Sequence, residues 1–587
     1  MFLITTADER AWNKNEKVLF LGEWCKRYSR KQIWSQLDYE VLPYHWDDRT
    51  KLYQDFNYLE DVYERYLDGL VPALNQLHHC NHSVRYWRII IGPWLRYFIE
   101  ILYDRYCSIN KAIASHKINC TWIMESKPWI WVPNDFATFN QFYVTDQWNH
   151  FIYGEIIKEI IQLPYNVIKE KNLPDKIRTV KQSQIKKIIQ RMLSWYNRIV
   201  PDKFNSTVFV SSYFNWRDLT RLQLALKQLP YPYVPIITAP KLPINSNKRD
   251  NLKITLATNA YEKLLEKFIP IQMPTAYVED YDVFRETALA NFPKKAKAIY
   301  TANAYNSNDG FKLWAAEQVE KGTKLLISQH GGNYGTSLWG QTEDHQIAIS
   351  DRFYTWGWEN RQEDNIKKMP ACKLIHANAK LRPNPKGDIL WVQMSLPRYS
   401  YHMYSVPVAS QFLNYIDEQI VFAKHVNNNV ANLLNLRLYV GHDYGWDMKS
   451  RFEDAGLGKY ISNNNNSFLS TLNNSRLCIS TYNATTYLET FTANYPSILF
   501  WNPKHWELRP AAQPYFDELR RVGVLHDTPE SAATKVNEIY ADPLAWWLQP
   551  EIQAAKDRFC NEFAYVNDNW LQKWKNELDS ITKSIDA

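Results

Sequence analysis

Glycine is scarce in this chain, with 17 in 587 residues. That excludes glycine-rich linkers and gives weight to any place where glycines gather. Cysteine is scarcer still: 7, an odd number with no CxxC pair, which excludes a disulfide scaffold and a zinc ribbon. The one spot of metal-type residues, His78-His79-Cys80-Asn81-His82, reads as structural, because four ligands must converge on one point and sequence neighbours rarely do. No metal site is expected. Charge is never concentrated: no five like charges stand in a row and the net +7 is scattered, so no nucleic-acid partner is expected. The most apolar stretch, Tyr86 to Tyr103, carries Arg88, Arg96 and Glu100 around Gly92-Pro93. It cannot be an uninterrupted membrane span and reads as a buried helix pair. Met1–Thr6 lacks a basic leader region and is followed by Asp8, Glu9 and Arg10, so a cytoplasmic protein is expected. Walker A, GxGxxG, HExxH and GxSxG motifs are missing, which argues against a P-loop NTPase, a dinucleotide oxidoreductase, a zinc protease and an α/β-hydrolase.

Aromatic residues, in contrast, are abundant at 15%, with 24 Trp and 38 Tyr. Such rings supply apolar faces with polar handles, as sugar-binding and interface surfaces need. The 45% hydrophobic and 22% charged shares are those of a globular chain, and the length fits two large domains or three ordinary ones.

Strand signals at Phe2–Thr6, Val18–Gly22 and Tyr39–Tyr44 open the chain. From about 50 to 200 helical periodicity takes over, as in Tyr53–Tyr66, Trp87–Tyr106 and Ile185–Val200, and predicts a helical insertion. Strand–helix alternation resumes with Val208–Tyr213, Val234–Thr238, Ala298–Ala302 and Lys324–Ser328. Before the last of these, Phe311, Trp314, Ala315 and Val319 share one helix face, closed by Gly322. Leu381–Gly387, with two prolines and a glycine, is the best linker. Beyond it Ile389–Met394, Leu436–Gly441, Leu477–Ser480 and Ser497–Trp501 alternate with helices, and the tail from about 554 to 585 is helical. The expected fold is α/β: two Rossmann-like domains, 1–385 and 386–587, facing a cleft, the first carrying the insertion.

The chemistry-bearing residues fall at predicted strand ends. Gln329-His330-Gly331-Gly332-Asn333-Tyr334-Gly335 gathers three of the rare glycines behind a buried strand. A backbone there needs positive φ or close approach, and His330 is a candidate base or phosphate contact, with Gln329 and Tyr334 near substrate. Ser480, Thr481, Asn483, Thr485, Thr486 and Glu489 run from a strand end into a helix start. Free N–H groups and the dipole end suit a phosphate there, and Glu489 suits ribose hydroxyls. Arg398 and His442 close two further strand ends and are candidates for leaving-group charge. Glu23 and Trp24, after the second strand, read as a cleft acid or base and a sugar platform.

Through Phe2–Asp8, Phe20–Cys25, Gln329–Gly335, His442–Trp446 and Thr481–Glu489, nearly the whole chain resembles a family of transferases found in bacterial O-antigen gene clusters. More distantly it is similar to capsule-type transferases and CDP-glycerol glycerophosphotransferases, which share a GT-B architecture. The resemblance implies a GT-B glycosyltransferase of surface-glycan synthesis. The N-terminal domain would bind a glycan or lipid-linked glycan acceptor, and the C-terminal domain a nucleotide-activated sugar, with a CMP-linked ulosonic acid as one model. No cofactor is implied, a metal-independent reaction is favoured, and the acceptor would bring the protein to the inner face of the inner membrane. The alternatives are polyol-phosphate transfer from a CDP-linked donor and a non-catalytic glycan-binding protein.

Overall fold

The computed structural model describes residues 1–127, 129–160, 163–169, 205–230, 237–360, 363–376, 381–439, 441–462 and 466–584. Within them the chain forms three five-stranded sheets, each parallel throughout. The α/β expectation holds, and the sheet count exceeds it by one. Ile185–Val200 and most of Val234–Thr238 lie outside the described residues.

The first sheet runs in the order Tyr39–Val41, Val18–Phe20, Phe2–Ile4, Cys120–Met124, Tyr165–Ile168. The stretch expected as a helical insertion is therefore helical only in part. Helices Arg49–Leu77 and Val84–Ser115 lead into two strands that extend this sheet. Those strands escape a reading by apolar runs because Cys120–Met124 is only half buried and Tyr165–Ile168 is largely exposed. The expected helix pair around Gly92-Pro93 is one helix, Val84–Ser115. Proline removes one N–H without ending it, since close packing fixes both sides: a Cβ on Gly92 would stand 2.8 Å from His345 and from the Tyr63 hydroxyl. The helix is buried on nearly all faces, which explains its apolar run, and Arg96 inside it is paired with Glu100 (2.7 Å) and Glu60. The His78–His82 cluster does not converge: His78 Nε2 meets the Tyr277 carbonyl and His82 stacks on Tyr86.

In the second sheet the strands follow sequence order, Thr207–Val210, Ala298–Thr301, Lys324–Ser328, Arg352–Thr355, Ile366–Lys368. Helices Asp309–Glu320 and Gln341–Ile349 lie between one face and Val84–Ser115. The other face shows Phe209, Tyr300, Leu326 and Tyr354, which need their own cover. The C-terminal helix Trp570–Ser584 supplies it by crossing back from beyond the third sheet. Trp574 packs edge-on to Tyr300 (5.5 Å) and Tyr354 (4.9 Å).

The third sheet has the order Leu434–Arg437, Asp388–Val392, Ser475–Ser480, Ser497–Phe500, Leu525–His526. Strand order reverses between Asp388–Val392 and Ser475–Ser480, and parallel sheets take ligands in the crevice at such a point. One continuous apolar core joins all three sheets.

Candidate functional site

The C-terminal edges of the second and third sheets meet. Strand Lys324–Ser328 ends in Gln329, whose Oε1 accepts from the Trp356 N–H and Trp358 Nε1 (both 3.0 Å) while its Nε2 donates to the Gly331 carbonyl (2.7 Å). Gln329 is thus fully engaged in shaping the turn rather than facing substrate. Gly332 then presses on the third sheet's helix Thr485–Thr492: a Cβ there would lie 2.5 Å from the Ala484 carbonyl and 2.6 Å from the Thr485 nitrogen. This close approach is why glycine is required. Gly331 meets only nearby side-chain atoms, and Gly335 takes φ +72° against Trp358. Asn483 Nδ2 donates to Thr336 Oγ1 (3.2 Å), tying the two edges together.

His330 sits at this junction, half-buried, with Tyr213, Tyr305 and Tyr334 around its ring. Its Nδ1 is 3.2 Å from the Tyr334 hydroxyl, which also accepts from Gln346 Nε2 (2.6 Å). Burial pushes the imidazole down to about 4, with Lys373 adding to the depression against a Gln346 hydrogen bond. At neutral pH the ring is uncharged, so it can exchange a proton with a ligand but does not present an imidazolium to phosphate.

On the third sheet the helix start has an unusual feature. Its N-cap is Ala484, which has no side chain to accept from the first turn, so the first N–H groups and the dipole's positive end are left for another acceptor. Ser480, 1% exposed, and Ser395 on the neighbouring strand end each bury a hydroxyl without a partner among the described residues. Both lie where strand order reverses. Thr481, by contrast, donates to the Val392 carbonyl (2.9 Å) and pairs with Tyr415, and Thr486 pairs with Tyr482 (2.6 Å). These two hydroxyls hold the fold. Glu489 faces Lys373 at 3.2 Å, and both line a 310 Å³ cavity with Tyr213, Asn215, His376 and Leu469. Lys373 was not singled out by sequence. It follows strands Arg352–Thr355 and Ile366–Lys368, and reading those two strands would have placed it at the same sheet edge.

A family model described as LIC12162 family transferase matches residues 1–578. The chain belongs to the LIC12162 family of transferases. The family match runs through all three sheets, so the first sheet is part of the family's unit. No curated protein matches the chain. Among solved structures, the chain is similar to WaaG, a glycosyltransferase involved in lipopolysaccharide biosynthesis, at 12% identity and TM-score 0.27 over 52% of this chain and 95% of that one. It is also similar to a protein assigned as a UDP-N-acetylglucosamine 2-epimerase from Listeria monocytogenes, at 10% identity and TM-score 0.32 over 60% of this chain and 94% of the other.

Four residues expected at the site of this family member are placed elsewhere. Arg398 is 3% exposed, and its guanidinium is bound to Asp146 (2.8 and 3.0 Å) and the Trp24 carbonyl, with Nε 3.3 Å from the Tyr444 carbonyl. It clamps the first sheet's unit to the third and has no free edge for phosphate. Trp24 is buried against Tyr44 and Tyr399 with its Nε1 on the Thr5 carbonyl (3.1 Å), so no face is open to a sugar ring. Glu23 pairs with Lys26 (3.0 Å) in a short 3-10 turn beside Arg451 and is not brought to His330. His442 is exposed next to Tyr444. No group of three or more His, Cys, Asp or Glu able to hold a metal occurs among the described residues, and no helix among them is long and apolar enough to cross a membrane.

Proposed function

We propose that this transferase is a glycosyltransferase that takes its sugar from a nucleotide-activated donor in the crevice between the second and third sheets. The observation carrying the reading is the contact of the His330–Gly332 turn with the uncapped helix start at Thr485, beside the unpartnered Ser480 hydroxyl. Such a helix start is an anion seat, and the imidazole beside it is a neutral base.

In this reading Gln346 fills one lone pair of the Tyr334 hydroxyl and His330 Nδ1–H donates to the other. Nε2 then holds the lone pair. It removes the proton from an acceptor hydroxyl as that oxygen bonds to the sugar's anomeric carbon. The bond from that carbon to the nucleotide's phosphate oxygen breaks, and the leaving phosphate's charge is met by the N–H groups of the first helical turn and by Lys373. Glu489 takes ribose hydroxyls at the cavity wall. A CMP-linked ulosonic acid and a lipid-linked glycan acceptor at the membrane's inner face remain the finer reading, on the family resemblance and the net +7.

Titration calorimetry with CMP, CDP, UDP, GDP and dTDP, with and without Mg²⁺, tests the donor seat: one nucleotide should bind, and binding of none would sink it. His330→Ala should lower turnover by about 10²–10⁴-fold while nucleotide affinity stays within a few fold. Unchanged turnover would remove His330 as the base.

A further inference from the structure

A second feature of the cleft is a chain of tyrosines leading away from His330. Tyr97, on Val84–Ser115, and Tyr143, after helix Phe136–Phe142, come from the first sheet's unit. Tyr401, His402 and Tyr404 come from the loop after strand Asp388–Val392 of the third sheet. Tyr143 stacks on Tyr401 at 5.1 Å and 10°, Tyr97 lies 6.0 Å from Tyr401, and His402 packs between Tyr401 (3.6 Å) and Tyr404 (3.8 Å). The Tyr404 hydroxyl bonds Thr342, and Tyr404 lines one small cavity with Tyr334, which continues the row to His330. At the other end Tyr444 lies near Tyr143 and Tyr401.

Three properties separate this row from ordinary core. Tyr401, Tyr404 and Tyr444 keep part of their surface open, yet burial pushes the Tyr401 and Tyr404 hydroxyls well above the usual phenol range. Open but desolvated groups line a recess rather than a flat face. Secondly, Nδ1 of His402, itself 7% exposed, is buried without a hydrogen-bond partner among the described residues. Buried polar atoms left unpaired in a native fold call for an additional partner. Thirdly, the charged side chains bordering the recess are already paired: Arg398 with Asp146, Arg105 with Asp104, Lys312 with Asp309.

We infer that this tyrosine row is the acceptor site and that it holds an uncharged saccharide, with the first sheet's unit forming one wall. Sugar rings offer C–H faces to aromatic planes and hydroxyls to phenols and imidazole. Because Arg398, Arg105 and Lys312 are each paired with a carboxylate, these three cations are not free for an acidic sugar. The inference rests on the proposed transfer at His330, because that is the end at which the acceptor hydroxyl must arrive.

The test is binding of the full chain, without nucleotide, to an array of neutral and acidic oligosaccharides, alongside nucleotide titration of the same samples. Neutral oligosaccharides should be retained. Tyr143→Phe/Tyr401→Phe, which keeps both rings and removes both hydroxyls, should weaken them at least about tenfold, and Tyr401→Ala further, with nucleotide affinity and thermal midpoint unchanged in the Phe double variant. Retention of acidic glycans alone, retention of none, or equal affinity in both variants overturns the tyrosine row as acceptor site. Loss of nucleotide binding with neutral glycans still retained would instead strike the donor reading and leave the recess standing.

Discussion

The first and third sheets make opposite use of the same topological feature. Each is parallel with one reversal of strand order, between Phe2–Ile4 and Cys120–Met124 in the first and between Asp388–Val392 and Ser475–Ser480 in the third. In the first, the crevice is filled by protein. Asp146 accepts from the Ala7 N–H, Arg398 enters from the third sheet to bind Asp146, and His150 accepts from the Met124 N–H. In the third, the same position carries two hydroxyls without partners and a helix start without a side-chain cap. Topology supplies a crevice, and side chains decide whether it is plugged, as in the first sheet, or lined with unpartnered polar groups, as in the third.

The largest test of this contrast is Arg398→Met. Asp146 would keep the Tyr399 hydroxyl and one N–H but lose its cation in a buried place, so stability should fall by about 3–5 kcal/mol in denaturant unfolding. Unaltered stability with weakened nucleotide binding would instead make Arg398 a ligand residue and erase the contrast. Next, Gly332→Ala should force the second and third sheets apart at Ala484, costing about 1–3 kcal/mol and nucleotide binding together, since the neighbour is backbone and cannot rotate away. Intact binding would show that the two edges need not touch.

A pH profile sharpens the base assignment. His330 is held at about 4 by burial, so the acid limb of turnover should fall near that value rather than near 6.5, provided the fold survives. Linkage runs the same way. The unfolded chain takes up this proton first, so the group's contribution to stability is present above about pH 6.5 and is lost as pH falls toward 4. A midpoint near 6.5 in turnover would mean that His330 is solvated or is not the base. The smallest effect is expected from Ser480→Ala. Removing an unpartnered hydroxyl should leave the thermal midpoint unchanged or slightly raised, while nucleotide affinity drops by about 1 kcal/mol. A lower midpoint with unchanged affinity would return Ser480 to the core.

Much of the third sheet was legible because its strands are short apolar runs bounded by polar turns, and all but Leu525–His526 were expected near their observed positions. The His330 turn and the Ser480–Glu489 segment were legible for a different reason: scarce glycines and clustered hydroxyls at strand ends are local signals. Trp24 misled because an aromatic residue after a strand looks the same whether its ring is packed or open, and Arg398 because a polar residue there looks the same whether its partner is a ligand or Asp146. That partner is 252 positions away in sequence. Lys373 and the tyrosine row stayed hidden because each residue alone is ordinary and only their assembly is not.

Sequence by itself determined the class of fold, the place of the His330 turn and the polar helix start, because apolar periodicity and backbone freedom act over a few residues. Only the tertiary structure decided that the chain before Leu381 builds two sheets rather than one, that Gly332 must touch Ala484, that Arg398 is a clamp, and that Tyr97, Tyr143, Tyr401, His402 and Tyr404 form one row of rings. Burial, ion pairing and desolvation depend on what stands across a gap, and that is fixed by packing between segments far apart in the chain.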